Sequence, residues 1–503
     1  MAWLTHAPRS DQGSALQGGL VCWMLCFAGR ASTRSRCKTV QVIPILTPAQ
    51  MAAVDAAAPE PFDVLVHRAA FAVTRAALKL LGGTYGRRVV VIAGPGNNGQ
   101  DGRLAAQMLR RCGVRVAVLE QAANLAELPI CDLVIDAGYG TGFRGTHQAF
   151  HTSQPVLAVD ICSGLDGLTG QVMGSVAAAV QTVTFAALKP GLLFGQGPQL
   201  SGQVMLADIG LDVSDATTHL VTDTDMLAWV QSRDPRAHKW NHAVWLIAGS
   251  PGMSGAAELA ATAALRGGAG YLRLSTPGAT SGTNPIEAVG YPLSTGEWAS
   301  EVSLHADRFK VVAVGPGLGR SESTRAQVRE LVATLNLPLL LDGDALWALG
   351  SEAGELLSTR GAPTIITPHD GEFEQLIGHP PGADRIEAAC KLASLTQAVV
   401  LLKGPTTVVA DARARCLVVR SGDERLATAG TGDVLTGLVA AHIALGADPL
   451  RAAASAAQLH GRAGLLGAQR GLLASDLPGL LTQAWQQSAE AHEPRQTGLT
   501  LCT

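Results

Sequence analysis

Val89-Val90-Val91-Ile92-Ala93 runs straight into Gly94-Pro95-Gly96-Asn97-Asn98-Gly99-Gln100-Asp101-Gly102. An unbroken apolar run of mostly β-branched residues has no polar face, so it reads as a parallel strand covered on both sides. Glycines directly after it place a tight turn at the strand's carboxyl end, where open α/β sheets bind their ligands. The arrangement returns at Ala243-Val244-Trp245-Leu246-Ile247-Ala248, which ends in Gly249-Ser250-Pro251-Gly252.

Working outward, Thr47 is placed to cap a helix whose first residue is Pro48, and a second helix is predicted over 64–80. After the 89–93 strand, a helix is predicted at 103–111, and strands follow at 114–119, 133–136, 156–160 and 182–185. After the second glycine turn come strands at 310–314, 338–341, 364–367, 398–402 and 407–410, separated by Ala/Leu-rich helices. This alternation predicts an α/β protein of two three-layer α/β/α domains, the first a doubly wound, Rossmann-like one. The polar stretch 212–237 has the composition of a boundary. Expected divisions are a poorly structured extension over 1–40, domains at 41–222 and 223–490, and a tail at 491–503.

With 503 residues, 47% hydrophobic, 16% charged, 4% aromatic and 57 glycines, the chain is built for tightly wound α/β domains, and its net charge of −3 argues against a nucleic-acid partner. The 9 cysteines (Cys22, Cys26, Cys37, Cys112, Cys131, Cys162, Cys390, Cys416 and Cys502) show no paired metal-ligand spacing, so a reducing, cytoplasmic setting is expected. The apolar stretch 19–29 is about half of the roughly 20 residues a membrane span requires. It leaves a targeting segment or an upstream translation start as readings of the extension, and no membrane partner is expected.

Read loosely, Gly94-x-Gly96-x-x-Gly99 is a dinucleotide fingerprint, with Glu120 where a ribose-binding carboxylate would stand. The polar load differs, however. Asn97, Asn98 and Asp101 follow the glycines, and carboxylates recur at later strand ends: Asp136 before Gly138-Tyr139-Gly140, and Asp160 before Ser163-Gly164. Singly, each is an ordinary turn residue. Together, oxygen donors at one sheet edge make a hard-cation site or a cleft for a ligand with many hydroxyls.

These residues, with Gly140-Thr141-Gly142-Phe143-Arg144-Gly145, Thr182-Val183-Thr184-Phe185, Lys189 and Asp208-Ile209-Gly210, resemble NAD(P)H-hydrate epimerases over about 46–211. The resemblance implies that Asn97, Asn98, Gly99, Gln100, Asp101, Gly140, Thr141, Gly142, Phe143, Arg144, Gly145, Thr146 and Asp160 hold the hydrated nicotinamide nucleotide. It also implies that Asn98, Asp136 and Ser163 ligate K+, with Asp160 moving the proton at the hydrated carbon. Gln100 and Cys162 depart from the family's usual Gly and Pro.

In the second half, Ala427-Thr428-Ala429-Gly430-Thr431-Gly432-Asp433 precedes an apolar, helix-compatible run. A glycine loop opening a helix turns backbone N–H groups toward an anion, and a carboxylate there would repel that anion. Asp433 therefore makes sense as a base that takes a hydroxyl proton while the loop steadies a transferring phosphoryl group; the bland reading is a first-turn helix carboxylate. No G-x-x-x-x-G-K-[ST] occurs, so phosphates need other glycine turns. Gly315-Pro316-Gly317, Leu341-Asp342-Gly343-Asp344, Thr367-Pro368-His369-Asp370-Gly371-Glu372 and Leu402-Lys403-Gly404-Pro405-Thr406-Thr407 all sit where strands end.

That motif order resembles the ADP/ATP-dependent NAD(P)H-hydrate dehydratases, a branch of the ribokinase-like kinases, over about 223–487. By the resemblance, Ala256, Gly317, His369 and Asp433 contact the substrate; Lys403, Gly404, Pro405, Thr406, Thr407 and Gly432 contact the nucleotide, with Mg2+ bridging its phosphates. Trp240 stands where the family has Gly. The expected function is repair: epimerisation of the R and S hydrates of NADH and NADPH, then dehydration of the S form with ADP or ATP, in a homo-oligomer. The alternatives are a ribokinase-like sugar or vitamin kinase fused to a nucleotide-binding module, a first domain without turnover, and an NAD-dependent dehydrogenase.

Overall fold

The computed structural model describes residues 43–120, 128–279 and 285–492. The expected extension with its apolar 19–29 stretch, and the tail beyond 492, lie outside these residues. No helix among the described residues is long and apolar enough to cross a membrane.

A six-stranded parallel sheet is ordered Arg115–Glu120, Arg88–Ala93, Leu133–Ala137, Val156–Val159, Gln181–Phe185, Gln203–Ala207. Val89 to Ala93 are at most 1% exposed, which is why that strand carries no polar alternation. The chain leaves Arg88–Ala93 toward one edge and returns on its other side at Leu133–Ala137. That reversal opens a crevice between the two carboxyl ends. The helix after the glycines begins at Asn97, six residues before the expected start, and runs to Arg111. It can lie this close only because Gly99 and Gly102 lack side chains: a Cβ at Gly99 would stand 1.8 Å from the Gly94 carbonyl oxygen, and one at Gly102 2.5 Å from Ala137 Cβ.

The second sheet has 11 strands, with a parallel centre in the order Val399–Leu402, Thr364–Ile366, Leu339–Leu341, Val311–Val314, Ala243–Ile247, Tyr271–Ser275. Its reversal lies between Ala243–Ile247 and Val311–Val314, so the Gly249 and Gly315 turns face one crevice. Thr407–Ala410 and Cys416–Val419 continue it as an antiparallel ribbon. Beyond the ribbon come Thr218–Leu220 and then Ile43–Ile45. Strands from both ends of the first expected domain thus complete the sheet of the second. Strands at 203–207, 271–275 and 416–419 escaped the sequence reading, being short or mixed in polarity.

Thr47 caps Pro48–Ala57 as the sequence suggests: its Oγ1 accepts from Gln50 N at 3.2 Å while its own N–H donates to Gln50 Oε1 at 2.9 Å. The helix Thr431–Ala444, which opens from the glycine loop at 430–433, is buried along nearly its whole length and packs on Ser254–Arg266. Gly437 permits that approach, since a Cβ there would lie 2.0 Å from the Ala260 carbonyl oxygen. Gly437→Ala is therefore expected to destabilise the protein by about 3 kcal/mol, the upper part of the overpacking range. A urea midpoint that falls at constant slope would record it.

Candidate active sites

At the crevice of the six-stranded sheet, Asp160 ends Val156–Val159 with φ +66°, a left-handed conformation that only glycine adopts without strain. The twist turns its carboxylate toward Lys189, whose Nζ lies 2.7 Å from Asp160 Oδ1. Lys189 is 2% exposed and also donates to Thr184 Oγ1 at 2.9 Å and to the Phe185 carbonyl at 3.0 Å. Thr184 Oγ1 in turn donates to Asp160 Oδ1 at 3.1 Å. The base proposed from sequence is thus oriented by a buried ammonium and a hydroxyl.

Three further groups reach the same place. A Cβ at Gly140 would stand 3.3 Å from Asp160 Oδ2 and 3.7 Å from Asn98 Cβ, so a side chain there would crowd the Asp160 carboxylate where the 140–146 loop passes over both residues. Asp101, in the early turns of its helix, is pushed up to about 8 by burial and then by Asp160 and Asp55, which leaves it a proton donor at neutral pH. Partial burial also raises the Asp55 carboxyl, with Lys189 opposing and Asp160 adding to the shift. Within the loop, Phe143 stacks on Tyr139 at 4.4 Å, and Arg144 donates to the Phe143 carbonyl at 2.7 Å. Asn97 and Gln100 are exposed, so Gln100 stands away from the buried groups. Cys162 is buried behind the site, its Sγ donating to the Leu200 carbonyl at 3.4 Å.

Asp136 and Ser163 form a second cluster beside this one. Asp136 Oδ2 accepts from Ser163 N at 2.9 Å, and Oδ1 from Ser163 Oγ at 2.6 Å and Gly138 N at 3.2 Å. Burial raises its carboxyl, with Ser163 offsetting part of the rise. Asn98 is buried yet neither atom of its amide has a hydrogen-bond partner. Such an orphaned amide asks for a ligand. Neutral and carboxylate oxygens such as those of Asn98, Asp136 and Ser163 suit a hard cation and not a soft metal.

Glu120 is ion-paired to Arg103, which also donates to the Gly94 carbonyl at 3.0 Å, so the carboxylate that the dinucleotide fingerprint requires is already engaged.

In the larger sheet, Asp342 at the end of Leu339–Leu341 is 3% exposed. Lys403 Nζ meets its Oδ1 at 2.8 Å and Glu372 Oε2 at 3.6 Å, and Thr436 Oγ1 donates to Asp342 Oδ2 at 2.5 Å. Burial favours the neutral forms of both partners, but their mutual attraction wins: it holds Asp342 below and Lys403 above their ordinary values. Asp433, in the first turn of Thr431–Ala444, is pushed up to about 6 by burial and the nearby Asp342, while Lys403 pulls the other way. Thr431 N–H is committed to the Thr428 carbonyl at 3.3 Å, which leaves the amides of Gly432 and Asp433 as the helix's open first-turn donors. A Cβ at Gly432 would be 3.7 Å from Lys403 Nζ, so the ammonium and those amides face one small volume.

His369 caps Asp370–Ile377 with its own ring: Nδ1 accepts from Gly371 N at 3.1 Å and Glu372 N at 3.3 Å, while Nε2 stays within 3.6 Å of Glu372 Oε1. Asp344 fixes the opposite wall through Gly319 N at 2.8 Å and Arg320 Nε at 2.9 Å. In that wall a Cβ at Gly317 would meet Ala256 Cβ at 2.9 Å. Arg385 donates to the Lys403 carbonyl at 2.7 Å and pairs with Asp370 at 2.9 Å; it clamps the 403–407 loop. Nothing in its sequence neighbourhood marked it. Trp240 lies away from these groups, against Tyr271 at 4.0 Å and under the Arg308 guanidinium at 3.8 Å.

Residues 244–487 match the NAD(P)H-hydrate dehydratase family, and residues 62–130 and 119–191 match the YjeF-related protein N-terminus family. The bifunctional NAD(P)H-hydrate repair enzyme Nnr of Moorella thermoacetica is 35% identical over 457 residues, which cover 78% of this chain and 86% of the relative. The chain belongs to the bifunctional NAD(P)H-hydrate repair enzymes. The repair enzyme of Escherichia coli is 31% identical, with 78% and 84% of the two chains covered. A solved Bacillus subtilis ADP/ATP-dependent NAD(P)H-hydrate dehydratase, co-crystallised with ATP/Mg2+, is 32% identical over 53% of this chain and 97% of its own, with a TM-score of 0.46. As a member of its family, this repair enzyme is an isomerase in its N-terminal half and a lyase in its C-terminal half.

Proposed function

We propose that the Asp160 crevice, within 41–222, interconverts the R and S hydrates of NADH and NADPH. The second crevice, within 223–490, removes water from the S hydrate at the expense of ADP or ATP. The observation that carries the second assignment is Asp433 at a glycine-started helix, facing Lys403 across the open amides of Gly432 and Asp433. Hydroxide is a poor leaving group and a phosphate ester a good one. Asp433 takes the hydroxyl proton as the oxygen attacks the terminal phosphoryl group, and the two amides with Lys403 stabilise the charge that develops there. The nitrogen of the hydrated ring then expels phosphate, and loss of a proton from the adjacent ring carbon restores the dihydronicotinamide. Mg2+ brought with the nucleotide neutralises its phosphates.

In the epimerase crevice, Asp160 moves the proton of the ring-carbon hydroxyl, Lys189 and Thr184 hold its carboxylate in place, and Asp101 supplies a hydrogen-bond donor. Asn98, Asp136 and Ser163 would hold K+, which supplies a fixed positive charge beside these carboxylates. Replacing K+ by Li+ is expected to slow epimerisation, and Asn98→Ala to remove that cation preference. An Asn98→Ala enzyme that still distinguishes the two cations would overturn this assignment.

Supplying mixed hydrates with ADP or ATP and following dihydronicotinamide absorbance tests the whole reading. Recovery of the absorbance is expected, and no recovery with either nucleotide sinks it. A stable phosphorylated product would select a small-molecule kinase instead.

A further inference from the structure

Thr406 belongs to the loop assigned to the nucleotide, yet its side chain is not offered to a ligand. It is 5% exposed, and its Oγ1 donates to the Leu193 carbonyl at 2.7 Å, across 213 residues of sequence. Leu193, 2% exposed, closes the short turn Pro190–Leu192 that begins directly after Lys189, the residue paired with Asp160. The turn is tightly held: Leu192 N bonds the Lys189 carbonyl at 3.0 Å, Leu193 N the Pro190 carbonyl at 2.8 Å, and Gly191 N the Gly167 carbonyl at 2.8 Å. A Cβ at Gly191 would stand 2.1 Å from the Asp166 carbonyl oxygen, so the turn has no room to relax.

The other flank of Lys189 is tied to the same sheet. Leu188 N donates to the Pro44 carbonyl at 2.9 Å, and Leu188 O accepts from Leu46 N at 2.9 Å. Pro44 lies in Ile43–Ile45, which pairs through Thr218–Leu220 and Cys416–Val419 to Thr407–Ala410, the strand that the 403–407 loop enters. The hydrogen bonds close a ring: nucleotide loop, three strand pairings, Leu188, Lys189, Leu193, and back to Thr406.

We infer that the Leu188–Leu193 segment couples the two active sites, with Thr406 as a positioning residue, so that nucleotide held by the 403–407 loop changes the rate at the Asp160 crevice. The inference rests on the nucleotide assignment of that loop. Its physical basis is that closing the loop on phosphates shifts a side chain bonded to a turn without slack, and the ammonium that orients Asp160 sits at the start of that turn. Reciprocity holds for binding: whatever part of the effect lies in hydrate affinity, hydrate in the first site changes nucleotide affinity by that same factor.

The test uses the full-length chain and a β,γ-imido analogue of ATP with Mg2+, so that hydrate is not consumed. Epimerisation is followed chromatographically and analogue binding by calorimetry. Saturating analogue is expected to change the wild-type epimerase kcat/KM at least about fivefold, the lower end of common couplings. Thr406→Val should cut that response below about twofold, and Thr406→Ser, which keeps the hydroxyl, should retain it. Should Thr406→Val not fold, Thr406→Ala serves the same comparison. An analogue that binds the wild-type enzyme without changing its epimerase rate overturns the coupling and leaves the nucleotide assignment standing. An analogue that does not bind overturns both. A response that survives in the Val and Ala variants overturns the role given to Thr406.

Discussion

Asp433→Asn is expected to bind nucleotide and to lose dehydration by about 10²–10⁴-fold, the usual contribution of a positioned base. Asn keeps the size of Asp433 and the backbone amides around it, and removes only the capacity to accept a proton. The wild-type pH profile should carry the same signature. Burial and Asp342 push this carboxyl up to about 6, so the required anion disappears below that value and kcat/KM of dehydration should fall about tenfold per unit there. The sign for stability is opposite. Because the folded-state value lies above the ordinary carboxylate value of 3.8, ionising Asp433 costs stability, which is fully present below pH 3.8 and lost as pH rises through about 6. Asp433→Asn should therefore be more resistant to thermal unfolding than the wild type at pH 8 and no more resistant at pH 3.5. A variant with normal turnover, or one less stable at pH 8, would remove Asp433 from the role of base.

Lys189→Met is expected to abolish measurable epimerisation and to destabilise the six-stranded sheet by about 3–5 kcal/mol, the cost of leaving a mostly buried charge without its partner. Met fills the space of the alkyl stem, so the loss is electrostatic. Asp160 is 16% exposed at its side chain, and with Asp101 and Asp55 nearby the crevice would hold three carboxyls and no cation among these groups. Asp160→Asn, which leaves the more deeply buried Lys189 ammonium with only the neutral acceptors Thr184 Oγ1 and the Phe185 carbonyl, is expected to cost comparable stability and also to stop proton transfer. Circular dichroism in urea gives the stability, and chromatographic separation of the hydrate epimers gives the rate. A Lys189→Met protein that keeps both would show that the Asp160–Lys189 contact at 2.7 Å is incidental.

Much of this was legible along the chain because the signals are local. Apolar runs such as Val89 to Ala93 announce central strands, glycines directly after them announce the crevice edge, and Thr47-Pro48 announces a helix start. Asp160 stands at such an edge and Asp433 at a glycine-started helix, and Asp136 and Ser163, two of the three cation ligands that the resemblance implied, are hydrogen-bonded to each other. The missed groups share a reason. Asp55 lies on an Ala-rich helix with no motif, and Arg385 in the first turn of another; each acquires meaning only from what folding sets against it.

By itself the sequence determined two α/β halves and the crevices at their strand ends, and it marked a candidate proton acceptor for each, since strand burial and glycine turns depend on residues a few positions apart. The tertiary structure alone decided that Lys189 orients Asp160, that Lys403 neutralises Asp342, that Glu120 serves Arg103, and that Thr406 answers to Leu193. Those pairings join residues from separate strands and loops, as far as 213 positions apart, and no local pattern encodes a distance that only packing sets.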